Sequence, residues 1–153
     1  MREKMLAGDV CNRIVVIAER GLSLVQAAQL MRKQHVGCLV VVDETGAGRL
    51  VVGMLTDRDI VTAVIARELD AAVLTVGDVM SRELISALED DSIKDILVTM
   101  RRKGIRRLPV VTTQGMLVGL VTLDDVLSLM AEQLREMALV VETEALRERR
   151  ERA

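Results

Sequence analysis

The chain has 153 residues, half of them apolar and 29% charged, with no Phe, Tyr or Trp. A net charge of -2 and a pI near 5.5 exclude a bulk electrostatic grip on phosphate backbones, and the missing aromatics exclude base-stacking platforms for single-stranded nucleic acid. Hydrophobicity this high excludes disorder, and a chain of this length buries about two thirds of its surface, so Val, Leu, Ile, Met and Ala must build the core.

The opening Met1–Met5 lacks the apolar run of a secretory signal, and the longest apolar runs, such as Leu50–Leu55, fall far short of the ~18 residues that cross a bilayer. The expectation is a soluble, cytoplasmic protein with no membrane partner. Cys11 and Cys38 lie in apolar surroundings without C-x-x-C spacing, and His35 completes no familiar zinc pattern with them; free thiols and no metal are expected. Arg13–Ile17 reads as a short β-prone stretch and Ser23 as a helix N-cap. Leu39–Asp43 and Leu50–Leu55 read as buried strands joined by the loop 44–48, which suits positive φ. A second helix opens after Thr56.

The later half reads alike. Arg82–Ser86 is β-prone, Ser92 caps a helix, and Ile93, Ile96, Leu97 and Met100 recur at helical spacing. Leu108–Val111 and Met116–Val121 are strands turning at Gln114-Gly115, and a helix follows Thr122. Pro109 is expected to begin its strand, where a missing N–H does least harm.

The likeness is a duplication. An offset of 69 lays Gly8-Asp9-Val10-Cys11-Asn12-Arg13 on Gly77-Asp78-Val79-Met80-Ser81-Arg82, and 11 of the 35 pairs from Gly8 to Val42 are identical. The first copy's loop is three residues longer, after which an offset of 66 lays Val52-Gly53-Met54-Leu55-Thr56-x-x-Asp59 on Val118-Gly119-Leu120-Val121-Thr122-x-x-Asp125. The fold class is α/β (α+β): two β-α-β-β-α units packed as a pseudo-two-fold pair, because one unit alone would expose an apolar sheet face. The units are expected at 8–70 and 71–135, after an N-terminal segment 1–7 and before a charged helical tail 136–153.

Thr56-Asp57-Arg58-Asp59 and Thr122-Leu123-Asp124-Asp125 carry the repeated polar chemistry. One reading is a capping box, with Thr as N-cap and the acid reaching back to its amide. The other is a nucleotide-sugar seat: free amides at a helix start suit phosphate, and a carboxylate accepts from both ribose hydroxyls. Both stay open at this point. No Ser/His/Asp set, paired-cysteine metal site or G-x-x-x-x-G-K loop suggests an enzyme.

With its Gly-Met-Leu-Thr-Asp-Arg-Asp-Ile and Gly-Leu-Val-Thr-Leu-Asp-Asp-Val segments, and Gly104-Ile105-Arg106-Arg107-Leu108-Pro109-Val110-Val111, the chain resembles a tandem pair of cystathionine-β-synthase (CBS) domains over about residues 8–135. The resemblance implies a regulatory module that binds AMP, ADP, ATP, S-adenosylmethionine or NAD between the copies, with no catalytic cofactor. It implies that Asp59 and Asp125 hold ribose beside Thr56 and Thr122. Adenine would lie against the opposing copy: Leu84, Ile85, Ser86 and the segment through Leu108 and Pro109 for Asp59; Val15, Val16, Ile17, Gly37 and Cys38 for Asp125. The copies differ in that Ser86 replaces Ile17, and Arg106-Arg107 replace Gly37-Cys38. Those arginines are either a solvated corner or paired donors for phosphate; the cleft of Asp59 is the expected phosphate site.

Leu127, Met130, Leu134, Met137 and Val141 form a 3-4-3-4 apolar seam in the last helix. It either packs on its own module or joins two modules, since CBS pairs commonly form homodimers. The output is then a change in lobe or dimer arrangement, read by a separate protein effector. The competing function is a ligand-free dimerisation scaffold in which Thr-x-x-Asp is only a cap.

Overall fold

A computed structural model describes residues 5–153. Each copy forms a three-stranded mixed sheet with its helices on one face. The first sheet comprises β1 (Ile17–Ala18), β2 (Cys38–Thr45) and β3 (Gly48–Thr56); β1 runs parallel and β3 antiparallel to the central β2. The second repeats this order with β4 (Ala87–Leu88), β5 (Arg107–Val111) and β6 (Leu117–Thr122). Of the β-prone stretches, Arg13–Ile17 enters β1 only at Ile17 and Arg82–Ser86 ends just before β4, so both first strands lie later than their composition suggests.

Local chemistry sets the helix boundaries. α2 (Leu24–Gln34) starts where the Ser23 hydroxyl accepts from Gln26 N–H at 3.1 Å, and α5 (Ile93–Lys103) where Ser92 accepts from Asp95 N–H at 3.2 Å. Both stop at a left-handed residue, His35 at φ 55° and Gly104 at φ 65°. Leu24, Ala27 and Met31 turn into the first sheet; Ile93, Ile96 and Met100 turn into the second.

The two short helices α1 (Ala7–Val10) and α4 (Val76–Val79) exchange lobes. Ala7 is fully buried in the second-lobe core, and Ala7 and Gly8 N–H donate to the carbonyls of Asp91 and Glu89. Val76 is fully buried in the first-lobe core, with Val76 and Gly77 N–H donating to the carbonyls of Leu22 and Arg20. In packing, the segment 7–12 that opens the first unit therefore completes the core of the second lobe. The crossing backbones then press on the repeated glycines: Asn12 exchanges two hydrogen bonds with Leu120, and Ser81 N–H donates to the Met54 carbonyl. A Cβ on Gly119 would stand 2.7 Å from the Asn12 carbonyl oxygen, and one on Gly53 3.0 Å from that of Ser81.

The sheets meet through a third cluster, Val40, Val42, Val51 and Val111 with Val15, Ile17, Leu117 and Leu120. Pro109 does not begin its strand; it pairs with Leu120 in the middle of the central β5. α6 (Leu123–Arg152) is one continuous helix, whereas its counterpart α3 (Asp57–Ile60) continues only through a π-turn at Val61–Ile65. Among the described residues no helix is long and apolar enough to cross a membrane. Both cysteines are free thiols.

The crossings yield a test. Gly119→Ala sets its methyl 2.6 Å from Cys11 Sγ as well as against the Asn12 carbonyl, whereas the other close neighbour of Gly53 is the flexible Met80 side chain. Urea unfolding should show Gly119→Ala destabilised by about 1–3 kcal/mol and Gly53→Ala by less.

Candidate functional site

β3 ends at Thr56, and the chain turns there into α3. The Thr56 hydroxyl accepts from Asp59 N–H at 3.1 Å, and Asp59 Oδ2 accepts from Thr56 N–H at 2.9 Å. The motif is thus a complete capping box on half-buried residues. The box engages only Oδ2; Oδ1 takes no hydrogen bond among the described residues. A carboxylate oriented in this way keeps acceptor capacity for a ligand, so the two readings of the motif are compatible.

This turn faces the second lobe across a cleft of about 370 Å³. Thr56, Arg58 and Asp59 line one side; Leu84 and Ile85 before β4, with Ile105, Arg106 and Arg107 at the start of β5, line the other. The structure therefore brings together Thr56, Asp59, Leu84, Ile85, Arg106 and Arg107. Ser86 is half-buried beside Ile85 and outside the lining. Leu108 and Pro109 are not on the cleft wall: Leu108 is fully buried in the second-lobe core and Pro109 is buried in β5. Strand alternation turns Leu108 inward, which a contiguous reading of the segment overlooked. The cleft also uses Met54, Asp57, Ser81, Glu83 and Gly104, which sequence reasoning missed. Ser81 had a signal, since it sits in the repeated Gly-Asp-Val segment that crosses between lobes.

The cleft is apolar in its floor and cationic at one rim. Glu83 is held by Lys103 at 2.5 Å. Arg106 meets Asp124 at 3.2 Å, a pair so exposed that it contributes little and exchanges readily. Arg58 and Arg107 form no ion pair among the described residues. Arg107 reaches to the first lobe, where a Cβ on Gly37 would lie 3.5 Å from its Nη2 and 3.1 Å from Asp57 Oδ2; glycine leaves room for both. Beneath them burial pushes the Cys38 thiol up, the Arg107 guanidinium draws it partly back, and Asp57 adds to the rise.

Pro109 has a second consequence. In the first copy, Val40 N–H donates to the Val16 carbonyl at 3.1 Å. The matching residue is Pro109, which has no N–H, and the matching carbonyl belongs to Ile85. That carbonyl takes no other hydrogen bond among the described residues. A residue that lines the cleft thus keeps an unpaired backbone acceptor where the other copy has a closed ladder.

The second set is built differently. Thr122 and Asp125 form the same box, at 3.0 and 3.1 Å. Val15 and Ile17 pack between the sheets, and Val16 packs on the first-lobe core. The positions matching Arg58, Arg106 and Arg107 are Asp124, Gly37 and Cys38, so the cationic rim is absent from this set.

The CBS-domain family model matches residues 7–66 and 76–132, so the chain belongs to the CBS-domain family. It is 34% identical over 134 residues to hypoxic response protein 1 of Mycobacterium tuberculosis, covering 88% of each chain. An uncharacterized protein of Methanopyrus kandleri is 33% identical over 120 residues; the match spans 78% of this chain and 60% of that protein. The solved CBS domain pair of protein MJ0100, in complex with 5′-methylthioadenosine and S-adenosyl-L-methionine, superposes with a TM-score of 0.73 at 29% identity, covering 84% of this chain and 98% of that one.

The box itself is testable without any ligand. Asp59→Ala removes the acceptor for Thr56 N–H and should cost about 1 kcal/mol in urea unfolding, whereas Asp59→Asn keeps an amide oxygen there and should stay within about 0.5 kcal/mol of the parent.

Proposed function

We infer that this CBS pair is a cytoplasmic regulatory module, not a catalyst, and that it binds a phosphate-bearing adenosine ligand of the AMP, ADP or ATP type in the cleft of Asp59. The observation that carries this reading is the set of groups left open around one apolar cleft. Among the described residues Asp59 Oδ1 takes no hydrogen bond and is open to a ribose hydroxyl, and Arg58 and Arg107 form no ion pair. The Ile85 carbonyl is an acceptor suited to the exocyclic amine of adenine, which guanine and hypoxanthine lack at that position. Leu84, Ile85 and Ile105 offer aliphatic surface for the base. Arg106 needs only to leave an exposed carboxylate to meet phosphate. The adenosine ligands in the similar CBS pair of MJ0100 support the same class of ligand. The cationic rim favours phosphate over a sulfonium for this chain, and it ranks this cleft above that of Thr122 and Asp125.

A ligand that touches both lobes favours one relative arrangement, by no more than its preference for that arrangement. A homodimer or a separate protein effector would read the change. The ligand-free scaffold is the second reading. It is favoured by the complete boxes at Thr56 and Thr122, which account for both motifs without a ligand.

Thermal melts by circular dichroism separate the two, since a chain without Trp or Tyr offers no useful intrinsic fluorescence. On nucleotide-free protein, a saturating adenosine phosphate at ~100 times its dissociation constant should add about 2.7 kcal/mol and raise the midpoint by several degrees, with GTP giving no shift. Asp59→Asn should weaken binding by roughly 10- to 100-fold, the worth of a hydrogen bond to a charged group. A flat panel of AMP, ADP, ATP, S-adenosylmethionine and NAD leaves the scaffold.

Pro109→Ala tests the base contact. It restores an N–H that can close on the Ile85 carbonyl, as Val40 closes on Val16. Calorimetric titration should show preference for AMP over inosine monophosphate reduced by roughly fivefold to tenfold. Unchanged discrimination would remove Ile85 from the base site.

A further inference from the structure

α6 is the largest element that the fold leaves uncovered. Its first turns pack on the second lobe through Val126, which is almost fully buried, but from Met130 to its end every residue is exposed. The 22 residues from Ala131 to Arg152 therefore extend about 33 Å with nothing against them. A solitary helix of this length is marginal in water, and this one includes the β-branched Val140, Val141 and Thr143. Its apolar seam is open to solvent, with Leu134 exposed by 66%, Met137 by 62% and Val141 by 67%. Leu127 and Met130 continue the same stripe onto the lobe.

Charge along the helix is polarised. Residues 123–136 carry Asp124, Asp125, Glu132 and Glu136 against Arg135 alone, and residues 147–152 carry Arg147, Arg149, Arg150 and Arg152 against Glu148 and Glu151. Within the helix Arg147 pairs with Glu151 and Arg152 with Glu148, which leaves Arg149 and Arg150 without an ion pair among the described residues. Two parallel copies would stack arginine end on arginine end. Two antiparallel copies would set the arginine end of each beside the acidic beginning of the other.

We propose that α6 pairs with α6 of a second copy of this chain as an antiparallel two-helix coil. The seam and the charges select one register. Met130 lies opposite the partner's Val141 and Leu134 opposite the partner's Met137, which by two-fold symmetry gives four apolar layers. The same register brings the arginine end of each helix level with the acidic first turn of the other. This deepens the homodimer part of the proposed function and is independent of whether the cleft holds a nucleotide.

Light scattering and sedimentation on the full chain test it. The parent, whose monomer mass is 16.8 kDa, should run as a dimer, and Leu134→Glu with Met137→Glu should halve the mass while leaving the melting midpoint of the lobes in place. Both replaced side chains are exposed in the single chain, so loss of the dimer is not loss of the fold. A spin label at Arg150→Cys, in a Cys11→Ser background with Cys38 buried, reads the direction. Antiparallel pairing in this register gives a label separation of about 40 Å, whereas parallel pairing gives less than about 20 Å. A dimer that survives the double substitution keeps the homodimer and overturns this interface; a monomeric parent overturns both. A short label distance overturns the antiparallel arrangement.

Discussion

The close approach of two crossing backbones to Gly53 and Gly119 is the constraint on which the rest depends. Each lobe is sealed by a segment that belongs in sequence to the other copy: Ala7–Val10 closes the second core and Val76–Val79 the first. A segment that leaves one lobe to seal the other holds the pair together covalently and by hydrogen bonds at once. It also delivers Ser81, Glu83, Leu84 and Ile85 to the wall facing Thr56 and Asp59. A side chain at Gly53 or Gly119 would press the crossing backbone outward, and at Gly53 that backbone is the one leading to the second wall of the cleft.

Duplication makes two such crossings, and divergence then makes them unequal. The boxes at Thr56–Asp59 and Thr122–Asp125 are superposable in chemistry, down to hydrogen bonds that agree within 0.1 Å. What differs is the surroundings: Arg58 against Asp124, Arg106 and Arg107 against Gly37 and Cys38, Pro109 against Val40. The first three substitutions concentrate positive charge on one cleft. The fourth acts through the backbone, because proline withholds a donor and leaves the Ile85 carbonyl open in the same cleft.

How far the sequence reveals this depends on whether the deciding interaction is local. Ser23 and Ser92 are readable as caps because the backbone N–H groups that donate to them lie three residues away, and the Thr-x-x-Asp boxes for the same reason. Thr56, Asp59, Leu84, Ile85, Arg106 and Arg107 were legible as neighbours once the copies were overlaid on the pattern of a CBS pair. Met54, Glu83 and Gly104 were not, since their place on the wall follows from packing between lobes. Leu108 was misplaced because alternation within β5 was not applied to it. Pro109 was misplaced because strand rules predict an edge or a start, and the structure instead tolerates a missing donor in a central strand, beside an open cleft. The exchange of α1 and α4 was hidden despite the repeated Gly-Asp-Val, since a motif shows that a contact recurs and not which lobe receives it.

Arg106 connects the two proposed activities. It lines the cleft of Asp59, and among the described residues its only ion pair is with Asp124 on the first turn of α6. In the proposed antiparallel helix pair, Asp124 also stands level with the arginine end of the second copy. On those two proposals, a phosphate that draws Arg106 into the cleft would leave the Asp124 charge free to attract the arginine end of the second copy, and an approaching arginine end would favour release of Arg106 toward phosphate. Such linkage is reciprocal by thermodynamic necessity. Because the pair being exchanged is exposed, its strength is limited to about 1 kcal/mol per chain, or roughly fivefold in affinity. That is small for a switch in one molecule, but a two-fold dimer applies it twice, and both applications act on the same association.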